Sequence, residues 1–151
     1  MNKCLLLILL LSYQFISAQK KGAPVKILDA TAQNWAAGAP GGKSGTVYNI
    51  KVKIMTAEPV EFKNLWLEEE NVPFNLGYYT RDGLPKILVV GDSVLLTYNK
   101  TLGEKPDTTE KKRVPIRIEY KWAALIECLV HGKARYFIVK RFTEIPRFKG
   151  Q

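Results

Sequence analysis

From Thr46 to Thr56 the chain alternates apolar Tyr48, Ile50, Val52 and Ile54 with Asn49, Lys51, Lys53 and Met55. Successive side chains of an extended segment point to opposite faces, so this pattern predicts a half-buried strand. Ala57-Glu58-Pro59 forms a turn, and Val60 to Glu68 is the returning strand, with Phe62, Leu65, Trp66 and Leu67 as its bulk. Their mixed spacing predicts a bulge near Asn64. A second pair, Ala123 to Val130 and Ala134 to Phe142, flanks His131-Gly132-Lys133, where glycine can supply the positive φ of a tight turn. Both of these strands are apolar on both faces. Ile126, Cys128 and Val130 share one face, with Leu125 and Leu129 on the other, and Tyr136 and Ile138 oppose Phe137 and Val139. Such strands are either covered on both sides or carry an interface, which makes Leu125, Leu129, Phe137 and Val139 candidate interface residues.

The remaining elements are shorter. Val25 to Leu28 predicts a first strand, Ala30 to Ala37 a helical turn or irregular lead-in, and GAPGGKSG (38–45) a loop. Glu68 to Pro73 is a polar break, and Phe74 to Thr80 a strand ended by Arg81-Asp82-Gly83. Lys86 to Val90 and Ser93 to Lys100 are apolar runs around Gly91-Asp92, a hairpin signal. After the polar loop Thr101 to Lys112, Arg113 to Tyr120 alternates again, and Pro115 confines it to a sheet edge or a bulge. With no amphipathic helix of useful length, the pattern predicts an all-β fold: an antiparallel immunoglobulin-like β-sandwich of seven to eight strands, with a small β-barrel as the alternative. The Cys–Trp–Cys pattern of antibody domains is absent.

The first 19 residues change the setting. Lys3, the apolar run Leu5 to Leu11, and Ser17-Ala18 before Gln19 have the order of a secretory signal peptide. The expected organisation is a signal peptide at 1–18, a flexible tail at 19–23 and a single sandwich domain at 24–151. The apolar run falls short of the roughly 20 residues a membrane span needs, and no transmembrane segment is expected after cleavage. Cys4 precedes the apolar run, which argues against lipidation there. Cys128 is then the one cysteine of the exported chain, and a buried, inert thiol is its expected role.

Charge is uneven. Residues 19–110 carry 11 Lys/Arg and 11 Asp/Glu, whereas residues 111–151 carry 11 Lys/Arg against three acids, a net +8. Arg117 and Lys121 lie on the polar side of one predicted strand, Lys133 and Arg135 adjoin the hairpin turn, and Lys140 and Arg141 follow. These six are the candidate binding residues, and such a set favours an acidic partner.

Other chemistry is poorly supported. AGAPGGKS (37–44) fits a loose phosphate-loop pattern, but the alternating strand after it offers no helix N-terminus to a phosphate, so no nucleotide is expected. His131 and Cys128 are three apart and point to opposite faces of an extended chain, which argues against a nucleophilic dyad and for an exposed turn histidine. One histidine and one cysteine make no metal set, and Glu68-Glu69-Glu70 diverge as a solvated run, so no metal or cofactor is expected.

The segments GGKSGTVYNIKVKI, FKNLWLEE and HGKARYFIVKRF, with the SAQ export end, resemble small secreted β-sandwich proteins of Gram-negative bacteria. The resemblance implies a secreted, periplasmic or cell-surface address and carries no catalytic residues. The expected function is that of an exported, non-enzymatic envelope protein binding a macromolecular partner, an envelope protein or an anionic polysaccharide, through its basic C-terminal hairpin region. The alternatives are a binder of anionic glycan or lipid head groups and a small carboxylate-dependent hydrolase.

Overall fold

The computed structural model describes residues 22–38, 41–78, 88–104, 114 and 122–147. The signal peptide, most of the tail, the Arg81-Asp82-Gly83 turn and the strand expected at Arg113–Tyr120, with Arg117 and Lys121, lie outside the described residues. Among the described residues there are nine strands and no helix: β1 (Val25–Ala36), β2 (Ser44–Ile54), β3 (Val60–Leu67), β4 (Glu70–Val72), β5 (Asn75–Tyr78), β6 (Ser93–Thr101), β7 (Ala124–Val130), β8 (Lys133–Val139) and β9 (Thr143–Ile145).

They form two separate sheets, ordered β5-β6-β2-β1-β9 and β4-β3-β7-β8. Among the described residues neither sheet closes on itself, so the fold is a sandwich and not a closed barrel. Lettered A to G in chain order with β4 as C′, the sheets read D-E-B-A and C′-C-F-G, the immunoglobulin arrangement. The neighbours are antiparallel except at the far edge, where β9 leaves β8's sheet and pairs parallel to β1, Thr31 opposite Thr143. This crossover ties one side of the sandwich together.

Alternation places the core between the sheets. Ile50, Val52 and Ile54 of β2 and Val94 and Leu96 of β6 meet Phe62, Leu65 and Leu67 of β3 and Ala124, Ile126 and Cys128 of β7. The bulge expected near Asn64 lies between Phe62 and Asn64, where β3 shifts register against β7. It resets the alternation so that Leu65 and Leu67 continue the inward face begun by Phe62.

Four local expectations require correction. The segment 30–37 is no helical turn: β1 runs unbroken to Ala36, with an irregularity at Leu28, because pairing along all of β2 outweighs the helix propensity of its alanines. The polar break at 68–73 contains β4, reached by a tight turn in which Glu68 and Glu69 both take positive φ (48° and 73°). Gly91-Asp92 joins no hairpin among the described residues; residues 88–90 are not a strand, and β6 pairs with β2 and β5. Finally, the β7–β8 connection is the two-residue turn His131-Gly132 (φ 49° and 75°), with Lys133 already paired to Val130.

Cys128 is fully buried in the inter-sheet core. Burial, then the charge of Glu127, pushes its thiol from 9.0 to about 11, while Arg135 pulls slightly the other way. The unfolded thiol loses its proton near its ordinary value and the native one holds it to about 11. Between those values the native state therefore binds more protons, and stability falls as pH rises through that window. Denaturant midpoints measured from pH 8 to 11 should decline for the parent and stay flatter for Cys128→Ala. Thiol alkylation at pH 8 should be slow until the protein is unfolded.

Candidate functional site

The β7–β8 hairpin is held at its turn and along β7. Its turn is anchored where the His131 backbone N–H donates to the Pro59 carbonyl at 3.0 Å. On the outer face of the sheet, Glu127 of β7 accepts from the Asn64 side-chain amide of β3 and from the Tyr136 hydroxyl of β8, the latter at 3.2 Å. That row binds three adjacent strands together. Burial and then Glu127 raise the Tyr136 phenol above its ordinary value, which keeps it protonated as the donor.

The register decides where the basic side chains stand. Lys133 is opposite Val130 and Arg135 opposite Cys128, on the same side of the sheet as Phe137 and Val139. Val130 and Cys128 belong to the core, whereas Lys133 and Arg135 are exposed. The edge strand β8 thus carries both cations past the end of the packed interior. Arg135 borders an open groove of about 420 Å³, whose other walls include Pro24, Met55, Thr56 and Val130.

Lys140 and Arg141 are also exposed but sit beyond the opposite end of β8. An extended strand advances about 3.3 Å per residue, so Arg135 and Lys140 are separated by roughly 17 Å. This is about twice the screening length at physiological salt, and the two pairs act independently. The described members of the basic set are two patches at opposite poles, not one.

The four apolar candidates also separate. Leu125 is fully buried and Val139 almost so, while Leu129 and Phe137 are half-buried, Phe137 against the core. The exposed large apolar side chain of this hairpin is Ile138. Leu125 and its cross-strand partner Trp66 are buried without belonging to the inter-sheet core, so the outer face of this sheet has its own covered region.

The pole near Lys140 and Arg141 holds a narrow cleft of about 40 Å³. Tyr48 and Tyr98, paired across β2 and β6, stack with ring centres 6.4 Å apart, and Phe142 meets Tyr48 edge-on at 5.1 Å. Glu68, Glu70 and Lys100 complete the cleft with these rings. Glu68, Glu69 and Glu70 are all exposed, and the tight turn at Glu68-Glu69 places Glu68 and Glu70 at the border of this cleft. Burial first, then Glu70 and Tyr48, push the Tyr98 phenol up. A space of this size admits about one water molecule.

The glycine-rich loop has a structural task. The Ala37 N–H donates to the Lys43 carbonyl at 2.8 Å, Ser44 starts β2, and the Lys43 ammonium pairs with Glu104 at 2.6 Å. His131 is exposed in its turn while Cys128 is buried in the core. Among the described residues, no three of His, Cys, Asp and Glu gather as a metal set, and no helix is long and apolar enough to cross a membrane.

Missed in the sequence was the apolar content of the hairpin-tip pole. Met55, Val89 and Val90 are exposed there at 49%, 57% and 56%. Met55 occupies the polar phase of the β2 alternation, and that misplacement was the available signal. Compared with known protein families, curated proteins and solved structures, the chain matches none.

Proposed function

We propose that this chain is an exported, non-enzymatic binding module of the cell envelope that holds a macromolecular partner at the tip of its β7–β8 hairpin. One observation carries the reading. Lys133 and Arg135 stand exposed on β8, and Arg135 borders a groove that also presents Met55. Among the described residues the ion pairs are Lys43–Glu104 and Lys63–Glu61, and neither uses these two cations. Free cations beside apolar surface favour an acidic partner that also offers apolar contact.

The test compares two charge reversals of equal size. Lys133→Glu with Arg135→Glu should lower the salt concentration at which the protein leaves an immobilised anionic polysaccharide. Lys140→Glu with Arg141→Glu, at the other pole, should lower it much less. Equal effects would mean that retention follows net charge and would remove the hairpin tip as the binding site.

A further inference from the structure

We infer that the hairpin-tip pole docks on an anionic lipid surface, with Met55, Val89 and Val90 entering the head-group layer and Lys26, Lys53, Lys133 and Arg135 meeting lipid phosphates. This deepens, and rests on, the reading of that pole as the binding end of the protein.

The apolar residues are gathered by the fold. Met55 follows the last residue of β2, and its N–H donates to the Pro24 carbonyl at 2.9 Å. The turn carrying Val89 and Val90 is fastened to the same strand end: the Gly91 N–H donates to the Ile54 carbonyl at 2.8 Å, and the Ile54 N–H to the Asp92 carbonyl at 2.9 Å. Exposed single apolar residues are ordinary, but three on adjoining turns at one pole form a patch.

Cations stand at the same pole. Lys133 and Arg135 come from β8, and Lys26 and Lys53 from β1 and β2. Lys26 and Lys53 are direct cross-strand partners at this end of the sheet. Like charges directly opposite each other destabilise a sheet, and a bound anion would relieve the repulsion. The nearby acids count for less: the Asp92 carboxylate accepts from the Val89 N–H at 2.9 Å within its own turn, and Glu58 already has a partner.

Apolar tips and cations at one pole match an anionic bilayer, which offers a phosphate plane above hydrocarbon. A purely anionic polysaccharide would use the cations and leave Met55, Val89 and Val90 in water.

The chain from Gln19 onward, which contains all nine described strands, should be sedimented with vesicles of phosphatidylglycerol and phosphatidylethanolamine, and separately with phosphatidylcholine vesicles. Binding to the anionic vesicles at low salt should exceed that to phosphatidylcholine about tenfold or more. The pair Val89→Ser and Val90→Ser, which leaves every charge and the groove lining in place, should weaken it by about tenfold or more while leaving retention on the immobilised anionic polysaccharide nearly intact. Lys133→Glu with Arg135→Glu should weaken both. Polysaccharide retention that depends on Lys133 and Arg135, without vesicle binding, overturns the lipid inference and leaves the binding-module reading standing. Vesicle binding that survives the two serines also overturns it. Dependence of neither property on Lys133 and Arg135 removes both readings. Folding of each variant is checked by its denaturant midpoint, and Val89→Ala with Val90→Ala substitutes for a variant that fails.

Discussion

Replacing Trp66 with alanine is expected to cost about 3–5 kcal/mol, a large fraction of the stability of a domain this size. Trp66 is 1% exposed, yet its β3 neighbours Leu65 and Leu67 are the residues that face the opposite sheet. Trp66 therefore points away from the inter-sheet core, beside Leu125 of β7, which is completely buried. The next residue in that cross-strand row, Ile138 of β8, is 39% exposed. Burial on this outer face thus ends between Leu125 and Ile138. Denaturant unfolding should show a loss of several kcal/mol for Trp66→Ala and about 2–5 kcal/mol for Leu125→Ala. For Ile138→Ser the change should stay within about 0.5 kcal/mol. A Trp66→Ala cost below about 1 kcal/mol would show that the outer face is not held closed in solution.

This gradient also explains what the sequence could and could not disclose. The alternation in 46–56, the bulge near Asn64 and the β7–β8 hairpin were legible because each is written into residues close in sequence. β4 and the full length of β1 were not. Consecutive positive φ values at two glutamates follow no local preference, and the continuation of β1 depends on β2 as its partner. Two-faced apolarity in β7 was read correctly as a pattern, but a sequence does not separate a face covered by its own chain from one awaiting another. Leu125 proves to be of the first kind. The basic set was legible as composition only. Its division into two poles follows from the length of β8, and the placing of Met55 next to Arg135 depends on the packing of one sheet over the other.

Gly45→Ala is expected to open the aromatic pole, at a cost of about 3 kcal/mol and a fall in melting temperature of about 10 °C. A Cβ built on Gly45 would lie 2.1 Å from the Lys100 carbonyl oxygen, and 2.9 and 3.0 Å from two atoms of the Trp35 indole. The oxygen belongs to the backbone of the neighbouring strand, so no rotamer change removes it, and β2 and β6 must separate. Three interactions depend on that spacing: the Leu102 N–H to the Ser44 carbonyl at 2.7 Å, the Trp35 indole N–H to Asn99 at 2.8 Å, and the Lys43–Glu104 pair at 2.6 Å. Trp35 is the direct cross-strand partner of Gly45 in β1, and its ring fills the place a side chain would take, a known remedy for glycine in a strand. The double variant Trp35→Ala with Gly45→Ala separates the two obstacles. If the carbonyl is the limiting contact, removing the indole restores nothing and adds its own loss. Recovery of stability in the double variant would assign the constraint to the ring. In either case the lesion should stay local to this pole, because Gly45 lies at the opposite end of β2 from Ile54, Met55 and the hairpin-tip groove. Retention of the folded Gly45→Ala protein on anionic polysaccharide should therefore match that of the parent.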